Sequence, residues 1–176
     1  FAAKEGSRMD LRVVGALRQA LFAPEAMAQV VASIAAPTTR IVTLTVTEKG
    51  YGYVPSTGDL DRANPDIARD LAHPAAPRTT LGVLAAALRL RRAAKAPVTL
   101  LSCDNLPSNG KTLQKLLGQF VAETDRDLAR WIDANVAFPC SMVDSIVPTP
   151  TAADRADIGA RLGVDDAASV VGEPFT

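Results

Sequence analysis

Ser102, Asp104 and Asn105 stand where the run VTLLSCDNLPSNGKT (98–112) changes from apolar to polar. A hydroxyl, a carboxylate and an amide in that position can hydrogen-bond a ligand and polarise it. A second group, Thr47, Glu48 and Lys49 in TEKGY, adds a hydroxyl, a carboxylate and an ammonium after another β-rich run. On composition alone it is equally a solvated turn. Asp144 lies inside the apolar MVDSIV, where an unpaired carboxylate is costly, so it is either paired or at the edge of a crevice. His73, the only histidine, sits in LAHPAAP with no carboxylate or nucleophile nearby. A surface or capping role suits it better than catalysis.

The elements that position these groups follow from periodicity. Residues 98–103 form an apolar strand leading into a helix at 109–123, and the β-branched RIVTLTVT (40–47) forms a strand leading into a glycine-rich loop that reaches Asn64. Ligands of open parallel sheets bind outside the carboxyl ends of the strands, which is where both polar groups fall. Met27, Val30, Val31 and Ile34 mark a helix over 24–36 closed by Pro37. Asn64-Pro65 starts a short helix to Leu71, and a longer helix covers 79–95 before Pro97. A helix over 125–134 puts Leu128, Trp131 and Ile132 on one face. The rest of the pattern predicts strands at 11–14, 136–138, 142–147 and 169–171 and a helix over 151–162. Strands alternating with helices predict an α/β fold of Rossmann type, a mostly parallel sheet with flanking helices.

Bulk properties narrow the function. The 176 residues are 48% hydrophobic, enough for one buried core. Nineteen basic residues balance nineteen acidic ones, so no global field draws the chain to nucleic acid or an anionic membrane; small molecules or protein are the expected partners. The longest apolar run, 81–88, is too short to cross a bilayer and is followed by Arg89, Arg91 and Arg92. Cys103 and Cys140 form no C-x-x-C pair; neither a metal centre nor a disulfide framework is expected, and a cytoplasmic location fits. The chain opens on Phe1 and closes on EPFT, and it reads like an excised piece.

Two phosphate-binding patterns come close and fail. Gly110-Lys111-Thr112 matches the end of a P-loop, but Asn105 stands where the first glycine belongs, and its side chain crowds the turn. An ordinary helix start capped by Ser108 or Asn109, with Lys111 solvated, is the simpler reading. No G-x-G-x-x-G triplet occurs; Gly50 and Gly52 lack the third glycine. Either no dinucleotide binds, or the segment that holds its pyrophosphate precedes Phe1.

Taken in order, LTVTEKGY (44–51), LSCDNLPSNG (101–110), FPCSMVDSIVP (138–148) and EPF (173–175) resemble the long-chain mannitol dehydrogenase family over essentially the whole chain. Within the family, Cys140 after Phe138-Pro139 and the AAKEGS opening resemble the members that reduce D-fructuronate to D-mannonate. Members that interconvert mannitol and fructose typically carry asparagine at that cysteine.

The resemblance implies an NAD-dependent oxidoreductase without a catalytic metal, acting on a sugar acid or polyol. It implies that residues 1–176 are the later part of the Rossmann-type domain. The first strand-turn-helix with the pyrophosphate site would be missing, and so would the helical domain with its lysine general base; no lysine here matches that motif. Asn105 matches the asparagine that polarises the reacting oxygen, and Asp144 matches a substrate-contacting aspartate. Thr47 and Glu48 match the strand end beside the nicotinamide, and Ser102 joins them as a cofactor-side residue. Ser145 departs from the family, which has arginine after that aspartate. The chain alone is then expected to be inactive; a silent domain and, last, a P-loop nucleotide hydrolase are the alternatives.

Overall fold

The computed structural model describes residues 1–5, 8–142 and 147–173. In chain order the first elements are β1 (Ala2–Glu5), β2 (Arg8–Leu11), α1 (Ala23–Ala35), β3 (Ile41–Leu44) and a 3₁₀ turn (Glu48–Tyr51). Then come β4 (Tyr53–Val54), β5 (Asp59–Leu60), α2 (Pro65–Ala72), α3 (Thr80–Ala93), β6 (Val98–Ser102) and α4 (Asn109–Ala122). The last are α5 (Arg126–Asn135), β7 (Val136–Ala137), α6 (Ala152–Leu162) and β8 (Val171–Gly172). The described residues fall into two compact units, the larger beginning at Leu21 and running through the 139–142 loop, the smaller drawn from the segments on either side of it.

In the larger unit β3, β6 and β7 form a parallel sheet in the order β3-β6-β7, with Leu44 opposite Ser102 and Val98 opposite Val136. Alternation puts Val98, Leu100 and Ser102 on the buried face of β6. Leu81, Leu84 and Leu88 of α3 and Leu113, Leu116, Leu117 and Phe120 of α4 join the same core, each contributing about 2 kcal/mol by leaving water. The expected strand over 40–47 stops at Leu44 because the next bonding backbone group, the Val46 N–H, donates to the Asp104 side chain instead of a strand. The loop to Asn64 holds more order than its composition predicts, namely the 3₁₀ turn and the β4–β5 hairpin. Gln119 of α4 ties that hairpin down: its Oε1 accepts from the Leu60 N–H at 2.7 Å and its Nε2 donates to Asp59 at 2.9 Å.

Local capping chemistry places the helices. Asn64 accepts from the Asp66 N–H at 2.9 Å, Thr79 from Gly82 at 3.0 Å and Asp125 from Leu128 at 2.8 Å. His73 is the exposed C-cap of α2. Asp70, buried, accepts from the backbone of Arg78 and Thr79 and from the Thr79 hydroxyl, fixing the entry to α3.

Arg91 is 0% exposed and, among the described residues, has no carboxylate partner. Its guanidinium spends all its donors on carbonyls instead: Ala96 at 2.9 Å, Ile34 and Ala36 at 2.8 Å, Thr39 at 3.0 Å and Pro97 at 2.6 Å. Ile34 and Ala36 are at the C-terminal end of α1, where the helix dipole favours a cation. Burial, and then the neighbouring Arg40, lowers the Arg91 pKa, and the carbonyl cage offsets that cost.

In the smaller unit β1 pairs antiparallel with β2 and parallel with β8, in the order β2-β1-β8. The strand expected at 11–14 is displaced to Arg8–Leu11; Leu11 sits opposite Ala2, so residues 13 and 14 run past the paired stretch. The strand expected at 169–171 is found as Val171–Gly172. Of the strand expected at 142–147, Met142 and Val147 have no regular structure and the residues between lie outside the described ones. Ala2, Ile158 and Val171 make a small core. Thr151 and Asp154 form a reciprocal capping box at the start of α6, and Lys4 bonds Asp154 at 3.1 Å.

Two predictions follow from these packings. Arg91→Leu leaves five carbonyls without their donor and lowers stability by about 3 kcal/mol or more; an unchanged urea midpoint would show that water replaces the guanidinium. The Thr151 side chain and backbone, then Lys4, hold the Asp154 carboxyl down to about 2. Its folded pKa is depressed, so its contribution to stability is present above the ordinary carboxylate range and is lost as pH falls through about 2. An NMR titration of Asp154 should show that low midpoint, and Thr151→Ala should move it toward 4.

Candidate functional site

β3 and β6 end side by side, and their exits are tied together. The Cys103 N–H donates to the Leu44 carbonyl at 2.8 Å, the last backbone bond between the two strands. Beyond it the Asp104 side chain takes over. One carboxylate oxygen accepts from the Val46 N–H. The other accepts from the Tyr51 hydroxyl and from the Ser102 hydroxyl, the latter at 3.1 Å. Tyr51 and Ser102 oxygens lie 2.9 Å apart. Ser102 is 0%, Tyr51 1% and Asp104 9% exposed, so three polar side chains satisfy one another inside the core. Burial, reinforced by the bond to Asp104, pushes the Tyr51 phenol well above its ordinary pKa, and it stays a proton donor.

A second brace holds the far side of the turn. Asn109 donates to the Asp104 carbonyl at 3.0 Å and to the Ser141 carbonyl and hydroxyl at 3.0 and 3.1 Å, while its Oδ1 accepts from the Ser141 N–H at 3.0 Å. The Ser141 hydroxyl in turn donates to the Ser102 carbonyl at 2.6 Å. The loop after β7 is thereby fastened to the end of β6. Ser108 occupies the N-cap position of α4, but with left-handed backbone (φ 50°) and no side-chain cap bond. Asn109 serves instead, its Oδ1 accepting from the Gly110 N–H at 2.8 Å.

That packing decides the meaning of Gly110-Lys111-Thr112. A Cβ on Gly110 would lie 2.3 Å from the Pro139 carbonyl oxygen and 2.6 Å from that of Phe138. The glycine admits a neighbouring backbone, and the helix start is closed against a phosphate. Lys111 is exposed, so the P-loop reading falls.

Between the two braces Asn105 is exposed, directly after Asp104. Thr47 is exposed at the exit of β3, directly after Val46. The turn and the strand end therefore present an amide and a hydroxyl at the carboxyl ends of adjacent parallel strands. Ser102, expected on the cofactor side, is buried with its hydroxyl engaged by Tyr51 and Asp104. Glu48 begins the 3₁₀ turn; its side chain lies outside the described ones, and Asp144 and Ser145 lie outside the described residues altogether. Tyr51, Asn109 and Ser141 are the members of the site that the sequence reading missed. A tyrosine among loop glycines, and a serine after Phe-Pro-Cys, carry no local signal of a partner in a distant strand.

The model of the mannitol dehydrogenase Rossmann domain matches residues 1–176. D-mannonate oxidoreductase of Escherichia coli (strain K12) is 40% identical over 177 residues, covering 99% of this chain and 36% of that protein. Mannitol 2-dehydrogenase of Aspergillus clavatus is 42% identical over 166 residues, covering 93% of this chain and 33% of that protein. Among solved structures, the ternary complex of Pseudomonas fluorescens mannitol 2-dehydrogenase with NAD and D-mannitol superimposes with a TM-score of 0.90 at 41% identity, over 99% of this chain and 36% of that one. The chain thus spans about a third of the length of the curated relatives it matches. Its parallel sheet, its strand-end turn and these matches along its whole length agree: the chain belongs to the mannitol dehydrogenase family and corresponds to its Rossmann domain.

Proposed function

We propose that this chain is the later part of the NAD-binding domain of an oxidoreductase that reduces D-fructuronate to D-mannonate, a hydride transfer between nicotinamide and a sugar-acid ketone. The observation that carries the reading is the exposed Asn105 amide on a turn braced from both sides, at the carboxyl end of β6. Such strand ends are where doubly wound sheets hold nicotinamide cofactors. The residues there suit NAD: the exposed Thr47 hydroxyl after β3 would contact the cofactor, Glu48 follows it in sequence and would share that role, and Ser102 supports the strand end from behind by holding Asp104. NAD, when bound, supplies the hydride or takes it up.

The residues of this chain do the rest by polarity. As the ketone becomes an alcohol, negative charge builds on oxygen; the Asn105 N–H donates to that oxygen and cannot itself lose the proton. The proton that completes the alcohol comes from a general acid supplied outside residues 1–176, a lysine in the family this chain belongs to. Asp144 accepts from a sugar hydroxyl and so discriminates among substrates. On this reading the 176-residue chain alone is catalytically silent. Its free thiols, Cys103 and Cys140, suit a cytoplasmic enzyme. Among the described residues no helix is long and apolar enough to cross a membrane. Mannitol and fructose are the runner-up pair, favoured by the 41% identity to the mannitol 2-dehydrogenase structure.

In the whole protein, Asn105→Ala should lower kcat by about 10²–10³ while NADH binding persists; unchanged turnover would remove Asn105 from the mechanism. NADH oxidation assayed with fructuronate and fructose in parallel decides the substrate. Faster turnover of fructose would replace the first reading with the second.

A further inference from the structure

We infer that Asp104, with Tyr51 as its main buried donor, is the positioning group that aims the Asn105 amide at the reacting oxygen. This rests on the oxidoreductase reading above. An exposed asparagine is a poor oxyanion donor unless its backbone is immobile, because an amide that must be reoriented during the reaction loses the benefit of preorganisation. Among the described residues Asn105 has no hydrogen bond that would fix its side chain; the order comes from its neighbour. On the preceding residue, the Asp104 carboxylate is bound by the Val46 N–H, the Tyr51 hydroxyl and the Ser102 hydroxyl. The carbonyl of the same residue accepts from the Leu106 N–H at 2.8 Å and from Asn109 at 3.0 Å. Asn105 is thus the exposed crest of a turn whose two feet are anchored in the core.

The anchor also couples two strand ends. Val46 precedes Thr47, so one carboxylate sets the hydroxyl at the exit of β3 and the amide at the exit of β6 in a common frame. Tyr51 reaches it from the 3₁₀ turn, 53 residues away in sequence. Losing the phenol hydroxyl leaves one carboxylate oxygen with Ser102 alone and frees the turn to shift. Displacements of about 1 Å at a reacting group can cost as much as 10²-fold in rate, and an interaction that acts on the transition state appears in kcat rather than in substrate binding.

The test is a double-mutant cycle in the whole protein. Tyr51→Phe should lower kcat about tenfold, with the NADH dissociation constant and KM little changed. In the Asn105→Ala background it should lower kcat no further, because its effect passes through the missing amide. Ile132→Val, a core change in α5 away from the turn, serves as the control for a simple loss of stability and should leave kcat unchanged. Hydrogen exchange adds a readout that needs no activity: amides of residues 104–108 should exchange faster in Tyr51→Phe and not in Ile132→Val. Equal losses from Tyr51→Phe in both backgrounds would overturn the coupling, and unchanged kcat and exchange would overturn the anchor. If Asn105→Ala is itself fully active, the functional reading fails, whereas the exchange result still decides whether Asp104 holds the turn.

Discussion

The Asp104 carboxylate is the interaction on which the strand-end turn depends. A parallel ladder stops where the strands diverge, and beyond it each chain must find other partners for its backbone groups. Here the last inter-strand bond, Cys103 to Leu44, is followed by a side chain that accepts the Val46 N–H in place of a carbonyl. A carboxylate in that position is buried and, among the described residues, has no cation within its network, so it depends on its hydrogen bonds. Tyr51 and Ser102 supply it. Remove either donor and the carboxylate draws in water or swings out, and the turn at 103–108 loses its shape.

Arg91 does the corresponding work at the opposite end of β6. Its guanidinium holds the carbonyls of Ala96 and Pro97, directly before the strand, together with Thr39, directly before Arg40 and β3. The two adjacent parallel strands are therefore pinned at their amino ends by a buried cation and at their carboxyl ends by a buried carboxylate. Between these pins Leu100 and its neighbours are packed against α4. A rigid strand pair with a short exposed turn at one end is what a site requires when it must hold a polar donor still without burying it.

These dependencies explain what could be read from the sequence. Helix starts at Asn64, Thr79, Asp125 and Thr151 are encoded within three residues, and the apolar periods of α3, α4 and β6 within a dozen, so their placement follows from local chemistry. The family motifs pointed to Asn105 and Thr47, and both stand exposed at adjacent strand ends. The bonds from Tyr51 to Asp104 and from Asn109 to Ser141 join residues 53 and 32 apart. No local period encodes such a pair, because the partner is chosen by the register of the sheet. The β1–β2 hairpin escaped for a related reason: Ala2–Glu5 is too short and too polar to declare itself before its partners are known.

Gly110 shows how a motif can carry one chemistry in letters and another in space. In a phosphate loop a glycine before lysine leaves room for an anion among backbone N–H groups. At this position the room is taken by the backbone at Phe138 and Pro139, and the Gly110 N–H is already committed to Asn109. The glycine lets the loop after β7 lie against the start of α4, and Ser141 then reaches the end of β6. The strained, left-handed Ser108 belongs to the same arrangement: the chain must reverse within a few residues of Asn105 to bring Asn109 under the turn. The cost of that backbone geometry, of order 1 kcal/mol or more, is offset by the Asn109 bonds it makes possible. A bound phosphate at this helix would have to break the brace that gives Asn105 its place.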